Sequence, residues 1–110
     1  MDDAWGRDPQ VGYLRRIFGR LESAQNLFLK KLRITPLDER LRDIREKALI
    51  LFESAWAESN PKGVSIHEEE FEALYLLCLA RLCRSRGIEI PQETLPNNKK
   101  LENLIKEIKS

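Results

Sequence analysis

Residues 71–83 read FEALYLLCLARLC, a run that is apolar on nearly every side. A helix that is apolar all round belongs in the middle of a protein core. The run lies between a helix-start signal at Ser65–Glu68, which fits a capping box, and Gly87, which suits a left-handed helix cap. The sequence therefore predicts a central third helix that ends near Arg86, inside a compact helical domain.

Two longer helices are predicted before this run, each with apolar residues in a heptad seam. The first seam has one polar member, Gln25, and consists of Val11, Leu14, Phe18, Leu21, Gln25, Phe28 and Leu32. The second helix is predicted to begin at the start signal Thr35–Pro36 and to end near Asn60. Because so few residues separate the two helices, we expect a long antiparallel helical hairpin whose seams face each other.

The whole chain reads as one helical domain. Its 110 residues are the size of one ordinary domain. Residues 1–9 lack periodicity and are predicted to be a flexible lead-in, although Trp5 is a costly side chain to leave in water. Residues 10–110 are predicted to form an all-α bundle of four helices, and Asn97 or Asn98 caps the last of these.

Composition and charge limit where the protein acts and what it binds. The formal net charge of +1 argues against a partner that is recognised by bulk charge. No apolar run approaches the ~20 residues of a membrane span, and no signal peptide opens the chain. Cys78 and Cys83 are five positions apart in one helix, which places their Cα atoms about 8–9 Å apart, too far for a disulfide. We therefore expect a cytoplasmic protein without a membrane span.

The chain offers little for catalysis. His67 and Glu70 supply two metal ligands from one helix face, whereas a catalytic zinc needs about three. Cys78 reads as a buried core thiol, and Cys83, beside Arg84, reads as a partly activated thiol without a neighbouring base. The five glycines are scattered singly, so there is no phosphate-binding loop. We expect a protein that is not an enzyme and has no cofactor, no metal and no small-molecule substrate.

The favoured function is that of a protein-interaction or assembly subunit, which binds a protein partner or another copy of itself. Large aromatic residues and a rim of arginine are typical of interface anchors. The predicted interaction residues are Trp5, Phe18, Arg20, Gln25, Phe28 and Trp56. Gln25 is either a buried polar residue that sets the register of the seam or a residue at an exposed end of the packing. If it chooses the partner of the hairpin, Gln25→Leu should raise stability and loosen oligomer specificity.

The alternative is a small helical nucleic-acid-binding protein or a subunit of a nucleoprotein complex. Both ends of the chain are basic, whereas the middle is acidic. If the basic residues of the two ends share one face, they form a phosphate-binding surface. Its members are Arg15, Arg16, Arg20, Lys30, Lys31, Arg33, Arg84, Arg86, Lys99 and Lys100.

The stretch FEALYLLCLARLCRSRGIEIP, followed by an amphipathic last helix, resembles the second half of HEPN domains. The resemblance covers about a third of the chain. Nucleases of that family use an Arg and a His separated by four to six residues, and this sequence has no such pair. The resemblance therefore implies a non-catalytic relative, which would bind nucleic acid or a toxin-like partner.

Overall fold

A computed structural model describes the backbone of residues 9–35 and 37–108 and, within these ranges, the side chains from residue 16 onward. The described part of the chain contains helices and no strand. The four α-helices are α1 (Pro9–Lys31), α2 (Glu39–Ser59), α3 (Phe71–Ser85) and α4 (Lys99–Glu107). Single 3₁₀ turns at Glu68–Glu70 and Gln92–Thr94 precede α3 and α4. The predicted all-α bundle of four helices is confirmed.

Helix α3 is the centre of this bundle, as its composition predicts. It packs against α1, α2 and α4. Its side chains Leu74, Cys78, Leu79 and Cys83 are completely buried. Because α3 is enclosed by three other helices, it has no broad polar face, and this explains why residues 71–83 lack the amphipathic pattern of a surface helix.

Helix α1 runs parallel to α3. Arg20, halfway along α1, has its Nε atom 3.2 Å from Oε1 of Glu72, near the start of α3. About one turn further along each helix, the Tyr75 hydroxyl donates a hydrogen bond to Gln25. Residue numbers therefore increase together along the α1–α3 interface.

Helix α2 runs antiparallel to α3 and joins it through four aromatic rings. Phe52 contacts the edge of Phe71 with ring centroids 6.0 Å apart, and it contacts Tyr75 at 6.1 Å. One turn later in α2, the ring of Trp56 lies 4.8 Å from that of Phe71. Perpendicular and tilted ring pairs at these distances contribute beyond their burial of apolar area. This interface uses Phe52 and Trp56, two of the large apolar residues of α2.

The hairpin of α1 and α2 is antiparallel, because the two helices run in opposite directions along α3. The expectation that their seams face each other is wrong. Among the described residues, no Cα atom of α1 comes within 8 Å of a Cα atom of α2. Helices in direct contact have axes 8–10 Å apart, which brings Cα atoms closer than this. Both helices pack on α3 instead, and α3 holds them apart.

Helix α2 begins later than predicted. Its N-cap is Asp38, whose side chain accepts a hydrogen bond from the backbone N–H of Arg40. Thr35 instead accepts a bond of 3.4 Å from the N–H of Leu37 in the turn before the helix. Leu37, which directly follows the predicted start signal, is 89% exposed. A short acidic side chain with two acceptor oxygens competes well with a threonine hydroxyl for the first helical amides.

The start of α3 is also displaced from its predicted position. The Glu70 carboxylate accepts a bond of 3.1 Å from the backbone N–H of His67, which is the glutamate half of a capping box. The box therefore lies two residues after the predicted Ser65–Glu68. Two other predicted caps are confirmed: Gly87 has φ +82°, and the Asn98 side chain accepts a bond from the first turn of α4.

Among the residues described, no helix is both long enough and apolar enough to cross a membrane. Of the predicted lead-in, Pro9 is the first residue of α1 and the other residues, including Trp5, lie outside the described part of the chain.

Candidate interaction groove between α1 and α2

A groove lies where α1 and α2 are held apart. Its volume is about 350 Å³, within the range of ligand-binding pockets. Phe18 and Leu21 of α1 form one wall, Leu49 of α2 forms the other, and Tyr75 of α3 lies at the bottom. Phe18 and Leu49 pack on the core and remain partly exposed. The groove is therefore an apolar surface that no described residue covers.

The bottom of the groove carries one buried hydrogen bond. Gln25 and Tyr75 are each 4% exposed, and the Tyr75 hydroxyl donates to Gln25 Oε1 at 2.5 Å. Burial raises the pKa of Tyr75 to about 12, so the phenol stays neutral and remains a donor at physiological pH. Of the two interpretations of Gln25, the structure supports the buried one. Its partner is an α3 side chain, which the seam pattern did not indicate.

Arg45 of α2 lies beside this hydrogen bond and lines the same groove. Its side chain is half-buried, and its Nε atom is buried without a hydrogen-bond partner within the described part of the chain. A buried donor without a partner costs free energy, because it has lost its hydrogen bonds to water. The Nε–H of Arg45 is therefore a buried donor that the described residues leave unsatisfied.

The rims of the groove are acidic. Glu22 on α1 and Glu46 on α2 both line it, and both residues are exposed. They lie on opposite walls, on either side of the apolar surface. A helix that binds with an apolar face is therefore best matched when basic residues flank that face.

The groove contains two of the six predicted interaction residues, Phe18 and Gln25. Phe28 is 5% exposed and belongs to the core, and Trp56 is half-buried against Phe71. Arg20 is ion-paired to α3 and is not at the groove. The structure therefore places Phe28 and Trp56 in intramolecular packing, and the sixth residue, Trp5, lies outside the described residues.

Half of the predicted nucleic-acid-binding residues are engaged within the chain. Arg16 and Arg20 pair with Glu68, and Arg20 also pairs with Glu72. Arg84 donates to the Ile90 carbonyl at 2.6 Å. The other contacts join Arg86 to Asp43, and Lys100 to Glu70 and the Ser65 carbonyl. The carboxylates near these cations reduce the field that they present to a polyanion.

The ten basic residues are also divided between two ends of the bundle. Lys100 contacts Glu70, just before α3, whereas Arg84 lies in the last turn of α3 and Arg86 directly follows the helix. At a rise of 1.5 Å per residue these positions are roughly 20 Å apart along the helix. Lys30, Lys31 and Arg33 are exposed at the end of α1, Lys99 is exposed at the start of α4, and the Arg15 side chain is outside the described residues.

The reactive groups considered from sequence are occupied or buried. Burial raises the pKa of the Cys78 thiol to about 12 and also raises that of Cys83, so the expectation of a partly activated Cys83 is wrong. Glu70, considered as a metal ligand with His67, bonds Lys100, Asn98 and the His67 backbone instead. In the described ranges, no three His, Cys, Asp or Glu side chains are placed to hold a metal ion.

Sequence reasoning missed the other six residues of the groove, among them Arg45, Leu49 and Tyr75. Leu49 lies on the flank of α2 that widens its apolar surface beyond the seam, and this was the one available signal for the groove. Arg45 lies between two seam positions and reads as an ordinary surface cation. Tyr75 sits inside an apolar run, where nothing indicates which neighbour its hydroxyl will meet.

Comparison with known proteins found no family model, no curated protein and no solved structure that matches this chain. The resemblance to HEPN domains thus has no support from a family match.

Proposed function

We propose that this protein is a non-catalytic interaction subunit, which binds an amphipathic helix of a protein partner in the groove between α1 and α2. The observation that carries the proposal is the separation of α1 from α2 above Tyr75, which leaves the apolar side chains of Phe18 and Leu49 partly exposed, with no described residue covering them. Grooves of this kind bind helices through apolar residues at helical spacing.

The arrangement of the bundle favours a helix as the bound element. Helices α1 and α2 flank α3 on one side, and a helix above Tyr75 would be the fourth member of a four-helix arrangement. It would bury the apolar walls and could offer an acceptor to the orphan Nε of Arg45. The acidic rims at Glu22 and Glu46 favour a partner helix with Lys or Arg beside its apolar face.

The test is photo-crosslinking from inside and outside the groove. A benzophenone amino acid replaces Leu49 in one variant and Ile50 in the other. Ile50 is the next residue of α2 and is 62% exposed, so it is a matched control that lies outside the groove. We expect a crosslink from position 49 to one helical segment with basic residues flanking apolar ones. A crosslinked segment of this same chain would identify the partner as a second copy.

Charge introduced at the same two positions provides a second test. Leu49→Glu places a carboxylate on the apolar wall and should abolish association, whereas Ile50→Glu should retain it. Association is measured as solution mass by size-exclusion chromatography with light scattering. The proposal would be contradicted if both variants kept the same partner, or if position 49 crosslinked to nothing in cells that contain the protein's natural partners.

The alternative of nucleic-acid binding has weaker support, because half of its proposed residues have partners within the chain and the remainder do not share one end of the bundle. Its test is the dependence of oligonucleotide affinity on salt. Contacts with several phosphates would make affinity fall steeply between low and physiological ionic strength. Absence of binding at low salt would eliminate it.

A further inference from the structure

A second pocket adjoins the groove at the turn between α1 and α2. Its volume is about 410 Å³, and three cationic residues line it: Lys30, Arg33 and Arg45. No residue of its lining is acidic. The nearby Asp38 carboxylate is engaged by Arg40, with its two oxygens 2.7 and 3.1 Å from guanidinium nitrogens. The pocket therefore concentrates positive charge without a carboxylate of its own.

The three cations have no ion-pair partner among the described residues, in contrast to Arg16, Arg20, Arg86 and Lys100. Arg45 contributes the orphan Nε described above, and that atom is buried. Asn26 and Thr35 also line the pocket and add an amide and a hydroxyl group. Arginine and lysine side chains that line one pocket without a carboxylate partner are typical of sites for oxyanions.

The backbone holds Arg33 in an unusual conformation. Its φ is +59°, and it is the only non-glycine residue in the described ranges with a positive φ. The N–H of Ile34 donates to the Leu29 carbonyl at 2.9 Å, which makes Arg33 the left-handed residue of a Schellman motif. Glycine is usual there, because a Cβ atom is strained in that conformation. An arginine at this position therefore points to a role of its side chain that outweighs the strain.

We infer that this pocket is an oxyanion-binding site, which takes a phosphate or carboxylate group through Arg45, Arg33 and Lys30. The partly buried guanidinium group of Arg45 supplies one cation in the wall of the pocket, and the exposed Arg33 and Lys30 supply charge at its mouth. The inference goes beyond the proposed binding of a helix, and its test involves no protein partner. Failure of one proposal is thus distinguishable from failure of the other.

The test is an NMR titration of the ¹⁵N-labelled protein at low ionic strength, with inorganic phosphate, pyrophosphate and citrate as separate probes. We expect saturable shifts of the backbone amides of residues 30–35 and of the Arg45 Nε–H, with affinity of about millimolar. Arg45→Gln and Lys30→Gln should each weaken binding roughly tenfold. Saturation by the phosphates alone would assign phosphate as the ligand group, and saturation by citrate alone would assign carboxylate.

Two further variants separate a site from general electrostatic attraction. Lys99→Gln makes the same change in net charge at an exposed residue outside the pocket and should leave the affinity unchanged. Arg33→Gly should weaken anion binding and raise the thermal midpoint, because glycine relieves the positive φ. The inference is overturned if shifts stay linear in probe concentration, or if Lys99→Gln weakens binding as much as Arg45→Gln does.

Discussion

The α2–α3 interface and the α1–α2 groove use neighbouring faces of the same helix in opposite ways. At the interface, Phe52 is completely buried among Trp56, Phe71 and Tyr75. At the groove, Leu49 is partly exposed and faces α1 across an open space. The difference arises because α3 is apolar on both sides and packs against α1 and α2 at once. A helix that occupies the centre of a hairpin leaves the outer part of that hairpin open.

Substitutions in the α2–α3 interface should lower the free energy of unfolding more than substitutions in the groove. Phe52→Ala removes a fully buried ring that contacts three other rings, and such changes cost about 3–5 kcal/mol of unfolding free energy. Urea denaturation measures this loss. Leu37→Ala is the control, since Leu37 is 89% exposed and its truncation should change stability by less than about 0.5 kcal/mol. Equal effects of the two substitutions would contradict the assignment of the core.

Substitution of Glu70, which caps the turn before α3, should have the next largest effect on stability. Glu70 accepts hydrogen bonds from Lys100 Nζ at 2.8 Å and from Asn98 Nδ2 at 3.0 Å, in addition to the His67 N–H. The bond from Lys100, followed by that from the His67 backbone, lowers the pKa of Glu70 to about 2 from an ordinary value of 4.5. Glu70→Gln should therefore cost about 2 kcal/mol at neutral pH.

The pH dependence of this cost has a definite sign. Because the pKa of Glu70 is lower in the folded than in the unfolded chain, its stabilisation is fully present above about pH 4.5 and is lost as pH falls toward 2. The difference in unfolding free energy between wild type and Glu70→Gln should thus shrink between pH 6 and pH 3. Glu69→Gln, at an exposed neighbour, should change stability little at either pH. A constant difference for Glu70→Gln would contradict the account.

At the bottom of the groove, the structure reverses the expected effect of Gln25→Leu. The substitution removes the acceptor of the Tyr75 hydroxyl and leaves a buried donor unsatisfied, which costs about 1–2 kcal/mol instead of raising stability. Adding Tyr75→Phe removes that donor and should recover most of the loss. Thermal or urea unfolding of the two single variants and the double variant measures the coupling. Additive effects would show that the hydrogen bond contributes nothing.

The smallest effect on stability is expected on the wall of the groove. Leu49→Gln should lower the unfolding free energy of the isolated chain by less than about 1 kcal/mol, because the side chain is already partly in water. The same substitution should weaken binding of a partner helix strongly. Denaturation and light scattering on one preparation separate these two effects. A loss of several kcal/mol would mean that Leu49 is buried against α1.

The sequence predicted the helices well and their arrangement only in part. Periodicity located α1, α2 and α4, and the lack of polarity located α3 at the centre. The prediction that the two seams face each other was wrong. Two helices with heptad seams can bury their apolar residues equally well against each other or against a third helix that is apolar all round. That choice depends on long-range packing, which spacing along the chain does not record.

The candidate site was less predictable for the same reason. Gln25 was recognisable as a polar residue in an apolar seam, but its partner Tyr75 is fifty positions away. Arg45 differs from the other surface cations of α2 only through the neighbours that bury its Nε. The predicted start of α2 was wrong for a local reason. Asp38 and Thr35 are both suitable N-cap residues, and the sequence alone does not show which of them caps the helix.

The most direct test of the open groove is the reactivity of a thiol introduced by Leu49→Cys. The native Cys78 and Cys83 are buried, and burial raises the pKa of both thiols. Both should therefore react slowly with the alkylating reagent and serve as internal controls. Intact-mass analysis after brief alkylation should show one label at position 49, at a rate within roughly tenfold of that for Ile50→Cys. Protection of the introduced thiol to the level of Cys78 would show that α1 and α2 close over Tyr75, and would contradict the account.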